Sequence, residues 1–125
     1  MDNLQAYRPS ASIGERTQIR TISDTEEVQT ILSALEDEFC RNLLEVMTEE
    51  YHTAQQYSED CDMPISTTYR KLNTLEEVGL VDTSIKLRKS GHHTKEFALG
   101  FGSIMIELSD PDGTVLKIEE RSDVR

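Results

Sequence analysis

Thr53-Ala54-Gln55-Gln56-Tyr57-Ser58-Glu59-Asp60-Cys61-Asp62-Met63-Pro64-Ile65-Ser66-Thr67-Thr68-Tyr69-Arg70-Lys71-Leu72 reads as a helix, a tight turn and a second helix. Ala54 is small enough to let the first helix approach a neighbour closely. Pro64 suits the first turn of the second helix, where a missing N–H leaves nothing unpaired. At about 100° per residue, Thr68, Leu72, Leu75 and Val78 fall on one side of that second helix, expected over 64–78. Ser66, Arg70 and Asn73 fall on the opposite side, flanked by Thr67, Tyr69 and Lys71. Short hydroxyls, an amide, an aromatic ring and two cations near a helix N-terminus are the groups that reach base edges and phosphates in a major groove. Any surface helix also needs a solvated face, and helix-turn-helix matches have many false positives, so the flanking chain has to decide.

Downstream, Gly79 is placed to stop the helix as a C-terminal glycine does. Leu80-Val81 and then Thr83 to Lys89 read as a strand, with Ile85 and Leu87 on one face and Lys86 and Arg88 on the other. Ser90-Gly91-His92-His93 reads as a hairpin tip. Thr94 to Phe101 reads as a return strand with Phe97, Leu99 and Phe101 alternating inward. A two-stranded hairpin directly after such a helix is a wing.

Ser66-Thr67-Thr68-Tyr69-Arg70-Lys71-Leu72, then Leu75-Glu76-Glu77-Val78-Gly79-Leu80-Val81, then a basic hairpin, resembles the ArsR-type winged helix-turn-helix regulators. The chain is most similar to their haloarchaeal branch, including the tip Gly91-His92-His93-Thr94. The resemblance spans Asp24 to Phe101 and implies direct control of transcription. In metal-sensing members the first helix of the motif carries paired cysteines. Gln55-Gln56-Tyr57-Ser58 stands there in this chain, so metal sensing is not carried over.

Charge supports this reading only when it is mapped along the chain. A net charge of −11 over 125 residues opposes a phosphate partner, whose binding depends on cations releasing counterions. From Pro64 to Leu99, however, six Lys/Arg face four acids, and from Ser84 to Lys95 there is no acid at all. An acidic surface everywhere except the elements that would face DNA is expected of a protein that stays dispersed in very salty cytoplasm. An ordinary acidic mesophilic protein is the competing reading.

At this length one domain with one lean core is expected: 36% of residues are hydrophobic and 6% aromatic. The fold class expected is α+β, mainly α: a winged helix-turn-helix with a β-hairpin wing and an additional C-terminal β-hairpin. The expected division is a mobile tail over 1–15, the DNA-binding domain over 16–101, and a C-terminal hairpin and tail over 102–125 that either extends the wing sheet within the subunit or forms the dimer seam. Within it, Arg16 to Ile22 reads as a short edge strand. Ser23 with Glu26 reads as a capping box. Val28, Ile31, Leu32 and Leu35 mark a first helix, and Phe39, Leu43, Val46 and Met47 mark the apolar face of a second. Ile104, Ile106 and Leu108 alternate toward a turn at Ser109-Asp110-Pro111-Asp112-Gly113, and Leu116 and Ile118 alternate back. Glu107, Lys117 and Glu119 form the solvated face. Asp110 and Asp112 resemble a fragment of a calcium loop, but the remaining ligands are missing and turn chemistry suffices.

Two cysteines make no secreted-type disulfide framework, and no apolar leader or membrane span is present, so a cytoplasmic location is expected. Cys40 is expected to be buried and Cys61 to lie in the turn. With no glycine-rich phosphate loop, no nucleophile elbow and no ligand spacing among His, Cys, Asp and Glu, neither catalysis nor a cofactor or metal is expected. The function expected is sequence-specific binding of double-stranded DNA by a homodimer, with helix 64–78 in the major groove and wing 83–101 on the backbone and minor groove. Ser66, Thr67, Tyr69, Arg70, Lys71 and Asn73 are the candidates on the helix, and Lys86, Arg88, Lys89, His92, His93 and Lys95 on the wing. The rival is a winged helix used only for protein contact, which would show an apolar or acidic recognition face and a short, uncharged wing. The target promoter and any effector ligand leave no motif.

Overall fold

A computed structural model describes residues 17–121. The tail expected over 1–15 lies outside the described residues. The chain is a mixed α and β fold of four helices and two three-stranded antiparallel sheets among those residues. It gathers into two units. One comprises residues 29–100, and the other comprises the flanking segments up to Val28 and from Phe101.

The flanking unit is a sheet of β1 (Thr17–Ile22), β5 (Phe101–Asp110) and β6 (Gly113–Arg121), in the order β1-β6-β5. β1 pairs with β6 from Thr17 opposite Arg121 to Ile22 opposite Leu116. The backbone partners of 17–22, a segment expected with the 16–101 region, lie in the C-terminal hairpin. The central strand is the best covered: Val115, Leu116 and Ile118 are buried, with Ile22 at the end of β1. Ile106 and Leu108, expected to face inward, are exposed because β5 is an edge strand. Glu119, expected in solvent, is buried; its Oε1 accepts from the Ser103 hydroxyl at 3.0 Å while Oε2 has no hydrogen-bond partner among the described residues.

α1 (Thr25–Glu36) begins one residue later than a Ser23 cap would set it. The Asp24 carboxylate accepts from the Glu27 N–H at 3.0 Å, taking the capping role assigned to Ser23. α2 (Glu38–Val46) is capped in the same way by Asp37, whose Oδ2 accepts from the Cys40 N–H at 2.9 Å. Cys40, Leu43 and Met47 form its buried stripe, whereas Phe39 and Val46, expected inward, are exposed.

The remaining elements of the 29–100 unit carry the candidate site. β2 (His52–Thr53) pairs with β4 (His93–Leu99), which pairs in turn with β3 (Val81–Leu87). The two-residue strand β2 carries no alternation long enough to recognise in sequence. α3 (Ala54–Cys61) starts with a complete capping box, Thr53 accepting from the Gln56 N–H and Gln56 reaching back to the Thr53 N–H. α4 (Ile65–Glu77) follows a turn in which Asp62 adopts φ +52°. Gly100 ends the hairpin. Its N–H donates to the Leu80 carbonyl and the Leu99 N–H donates to Thr48, so Phe101 belongs to the other sheet and not to the return strand.

Candidate nucleic-acid interface

The inward face of α4 is Thr68, Leu72 and Leu75, all fully buried, and it fixes which way the helix turns its other side. Truncating either leucine would cost about 2–5 kcal/mol, more than any surface contact in the region. The Thr68 hydroxyl, buried among apolar groups, is satisfied by the Pro64 carbonyl at 2.9 Å. At its C-terminus α4 ends in a Schellman motif. Gly79, at φ +83°, donates to the Glu76 carbonyl, Leu80 donates to Leu75, and both leucines are buried.

This leaves Ser66, Arg70 and Asn73 exposed on the outward face, with Tyr69 47% exposed and Thr67 half-buried beside them. They are brought together as the spacing predicts. Ile65 is exposed at the same end, so the face is amphiphilic rather than purely polar. Lys71 is drawn away: its ammonium lies 3.1 Å from Asp37 Oδ1 and 5.9 Å from the Phe39 ring centre. Partial desolvation pushes the Asp37 carboxyl up, but the Cys40 N–H and the Lys71 ammonium outweigh it and hold the group below its ordinary value.

The hairpin of β3 and β4 is tied to α4 by one carboxylate. Glu76 Oε1 accepts from Lys95 Nζ at 3.1 Å and Glu76 Oε2 accepts from the Thr83 hydroxyl at 3.2 Å. Lys95 Nζ also stands 5.4 Å from the Phe97 ring centre. At the tip, Arg88 donates to the His92 carbonyl, Gly91 donates to the Arg88 carbonyl, and Gly91 takes φ +89°. The Arg88 guanidinium donates to the Thr94 hydroxyl at 3.0 Å. Lys86 stands 3.9 Å from Glu96. Lys86, Arg88, Lys89, His92 and His93 are all exposed, and Lys95 is half-buried.

Three of the six local cations, Lys71, Lys86 and Lys95, therefore have carboxylate partners, while Arg70 and Lys89 have none among the described residues. Counting charges along the chain overstated the free positive charge, because Asp37 lies outside the stretch counted and pairs across the fold. The sequence pattern does not show the surroundings of three residues. Glu76 looked like an ordinary helix acid, and the exposure of Ile85 and Leu87 was hidden by their alternation, which is the same for a buried strand face. The cysteines carry no activated thiol: burial, with Asp37 beside it, pushes Cys40 up to about 11, and burial with Asp60 raises Cys61. No group of three or more metal-ligating side chains occurs among the described residues, and no helix there is long and apolar enough to cross a membrane.

No family model matches the chain, and no curated protein matches it. Among solved structures, one from Methanosarcina mazei Go1 named a possible transcriptional regulator is similar to it at 16% identity and a TM-score of 0.48. The likeness covers 58% of this chain and 63% of that one. At that distance it assigns neither family nor activity, and the functional reading rests on the geometry above.

Proposed function

We propose that the protein is a winged helix-turn-helix transcriptional regulator of the ArsR type that binds duplex DNA in a sequence-specific way. α3 and α4 form the helix-turn-helix, α4 lies in the major groove, and the β3–β4 hairpin is the wing. The observation that carries this reading is the outward face of α4: Ser66, Arg70 and Asn73 aligned and exposed, with Arg70 free of any carboxylate among the described residues. Arg70 has the fork geometry that reads a guanine through O6 and N7. Lys89 and Arg88 at the wing tip meet phosphate, and His92 and His93 reach toward the minor groove. Lys71 and Lys95 position α4 and the wing through Asp37 and Glu76.

The binding unit is a homodimer, because one helix and one wing read only a short half-site. The ten-residue edge strand β5, with exposed Met105, Ile106 and Leu108, supports this reading. The acidic remainder of the chain marks a protein adapted to a salty cytoplasm, and unfolding followed from low to molar KCl tests that part. Exposure of Ile65 and Tyr69 favours one alternative, a winged helix docking on protein. Selection from a randomised duplex pool separates the two: recovery of a common sequence supports DNA reading, and recovery of none assigns the surface to protein.

A further inference from the structure

The β3–β4 hairpin has an apolar ridge that its basic sequence conceals. Cross-strand register sets Thr83 opposite Phe97, Ile85 opposite Lys95 and Leu87 opposite His93. Opposed residues share a face, so Ile85 and Leu87 continue outward the same face on which Phe97 is buried at the base. Phe97 is fully buried, Ile85 is 56% exposed and Leu87 is 71% exposed. Neither outer residue is needed to cover the core. The Glu76 clamp on Thr83 and Lys95 sits immediately below them and presents the ridge at a fixed position relative to α4.

The surroundings of the ridge select its occupant. Lys86 and Arg88 alternate with it on the opposite face of the hairpin and Lys89 follows it at the tip, while Lys95 and His93 oppose Ile85 and Leu87 from β4, and the sequence has no acid between Ser84 and Lys95. An apolar protein groove closing over the outer end of the hairpin would desolvate Arg88, held only by the Thr94 hydroxyl, together with Lys89 without giving either a carboxylate, which is costly. A minor groove offers apolar sugar walls between two rows of phosphate, so it matches an apolar ridge bordered by cations.

Resting on the reading of this hairpin as a DNA-facing wing, we propose that Leu87, backed by Ile85, is an apolar wedge that enters the minor groove and partly unstacks a base step, kinking the duplex. Pyrimidine–purine steps unstack most easily, so the wedge confers a preference at a position that no polar side chain reads.

The test uses the full chain and a duplex that it selects from a randomised pool, carrying a dye at each end. Energy transfer reports bending, and affinity is measured across a KCl series for wild type, Leu87→Thr and Leu87→Phe. Threonine suits an exposed strand position, and thermal unfolding of each variant verifies its fold. Leu87→Thr is expected to straighten the duplex and weaken binding about tenfold with the salt slope unchanged, since phosphate contacts remain. Leu87→Phe is expected to retain the bend. A Leu87→Thr chain that bends the duplex as far as wild type, with affinity within about twofold, overturns the wedge and leaves DNA binding standing. A wild-type chain that selects no duplex overturns the DNA reading itself, and the wedge with it.

Discussion

Glu76 and Lys95 meet at 3.1 Å, joining the last turn of α4 to the second strand of the hairpin. A lysine already holding a carboxylate releases fewer counterions when phosphate arrives than a free one does. Lys95→Ala and Lys71→Ala are therefore expected to leave the salt slope of DNA binding near its wild-type value. Lys89→Ala is expected to reduce it by about one unit. Binding isotherms over a KCl series check this; equal slope losses at all three lysines would contradict the assignment.

Arg70 is expected to behave differently from every wing cation. Arg70→Ala should cost roughly 1–3 kcal/mol on the selected sequence and much less on random duplex. Competition between the two duplexes measures the difference. A loss shared equally by both would make Arg70 a phosphate contact and remove it from base reading.

Asp37 serves both as the cap of α2 and as the anchor of Lys71, at 2.9 and 3.1 Å. Asp37→Ala is expected to destabilise the fold by about 1–2 kcal/mol at neutral pH, most of it from the lost cap. Lys71→Ala should cost less than about 1 kcal/mol, the usual worth of a partly exposed pair. Because the folded Asp37 carboxyl is held below its ordinary value of 3.8, its charge-dependent stabilisation is complete above that value and is lost as pH falls through the folded value. Chemical denaturation at neutral and strongly acid pH should show the wild type converging on Asp37→Asn in acid. A constant gap would place the effect in packing.

Much of this architecture was legible in the sequence because the signals are local. The positive-φ glycine at Gly79, the small Ala54 and the i, i+4, i+7 face of Ser66, Arg70 and Asn73 each depend on residues a few positions apart. What was not legible depends on distant partners. Asp37 and Lys71 are 34 residues apart, with α2, β2 and α3 between them, and β2 exists only because β4 returns beside it. Alternating isoleucines and leucines in β5 looked buried because periodicity states that they share a side, not that anything covers it.

Ile106 lies near the middle of the exposed edge strand β5, which makes it the residue to test for the homodimer. Ile106→Lys is expected to yield the monomer mass by light scattering at micromolar concentration, against a dimer for wild type, with helical content retained. The same variant should lose cooperative binding to a two-half-site duplex and keep weak binding to a single half-site. A wild-type chain that remained monomeric with and without DNA would refute the dimer.

The outward face of α4 is proposed to read duplex sequence. Its most direct test is a titration of the selected duplex against a scrambled one of equal length and composition, at several KCl concentrations, with wild type and Arg70→Ala in parallel. Wild type is expected to prefer the selected duplex by at least about a thousandfold, a preference retained as salt weakens both complexes and largely collapsed by Arg70→Ala. Equal affinity for both duplexes at every salt concentration, or no binding to either, would contradict it.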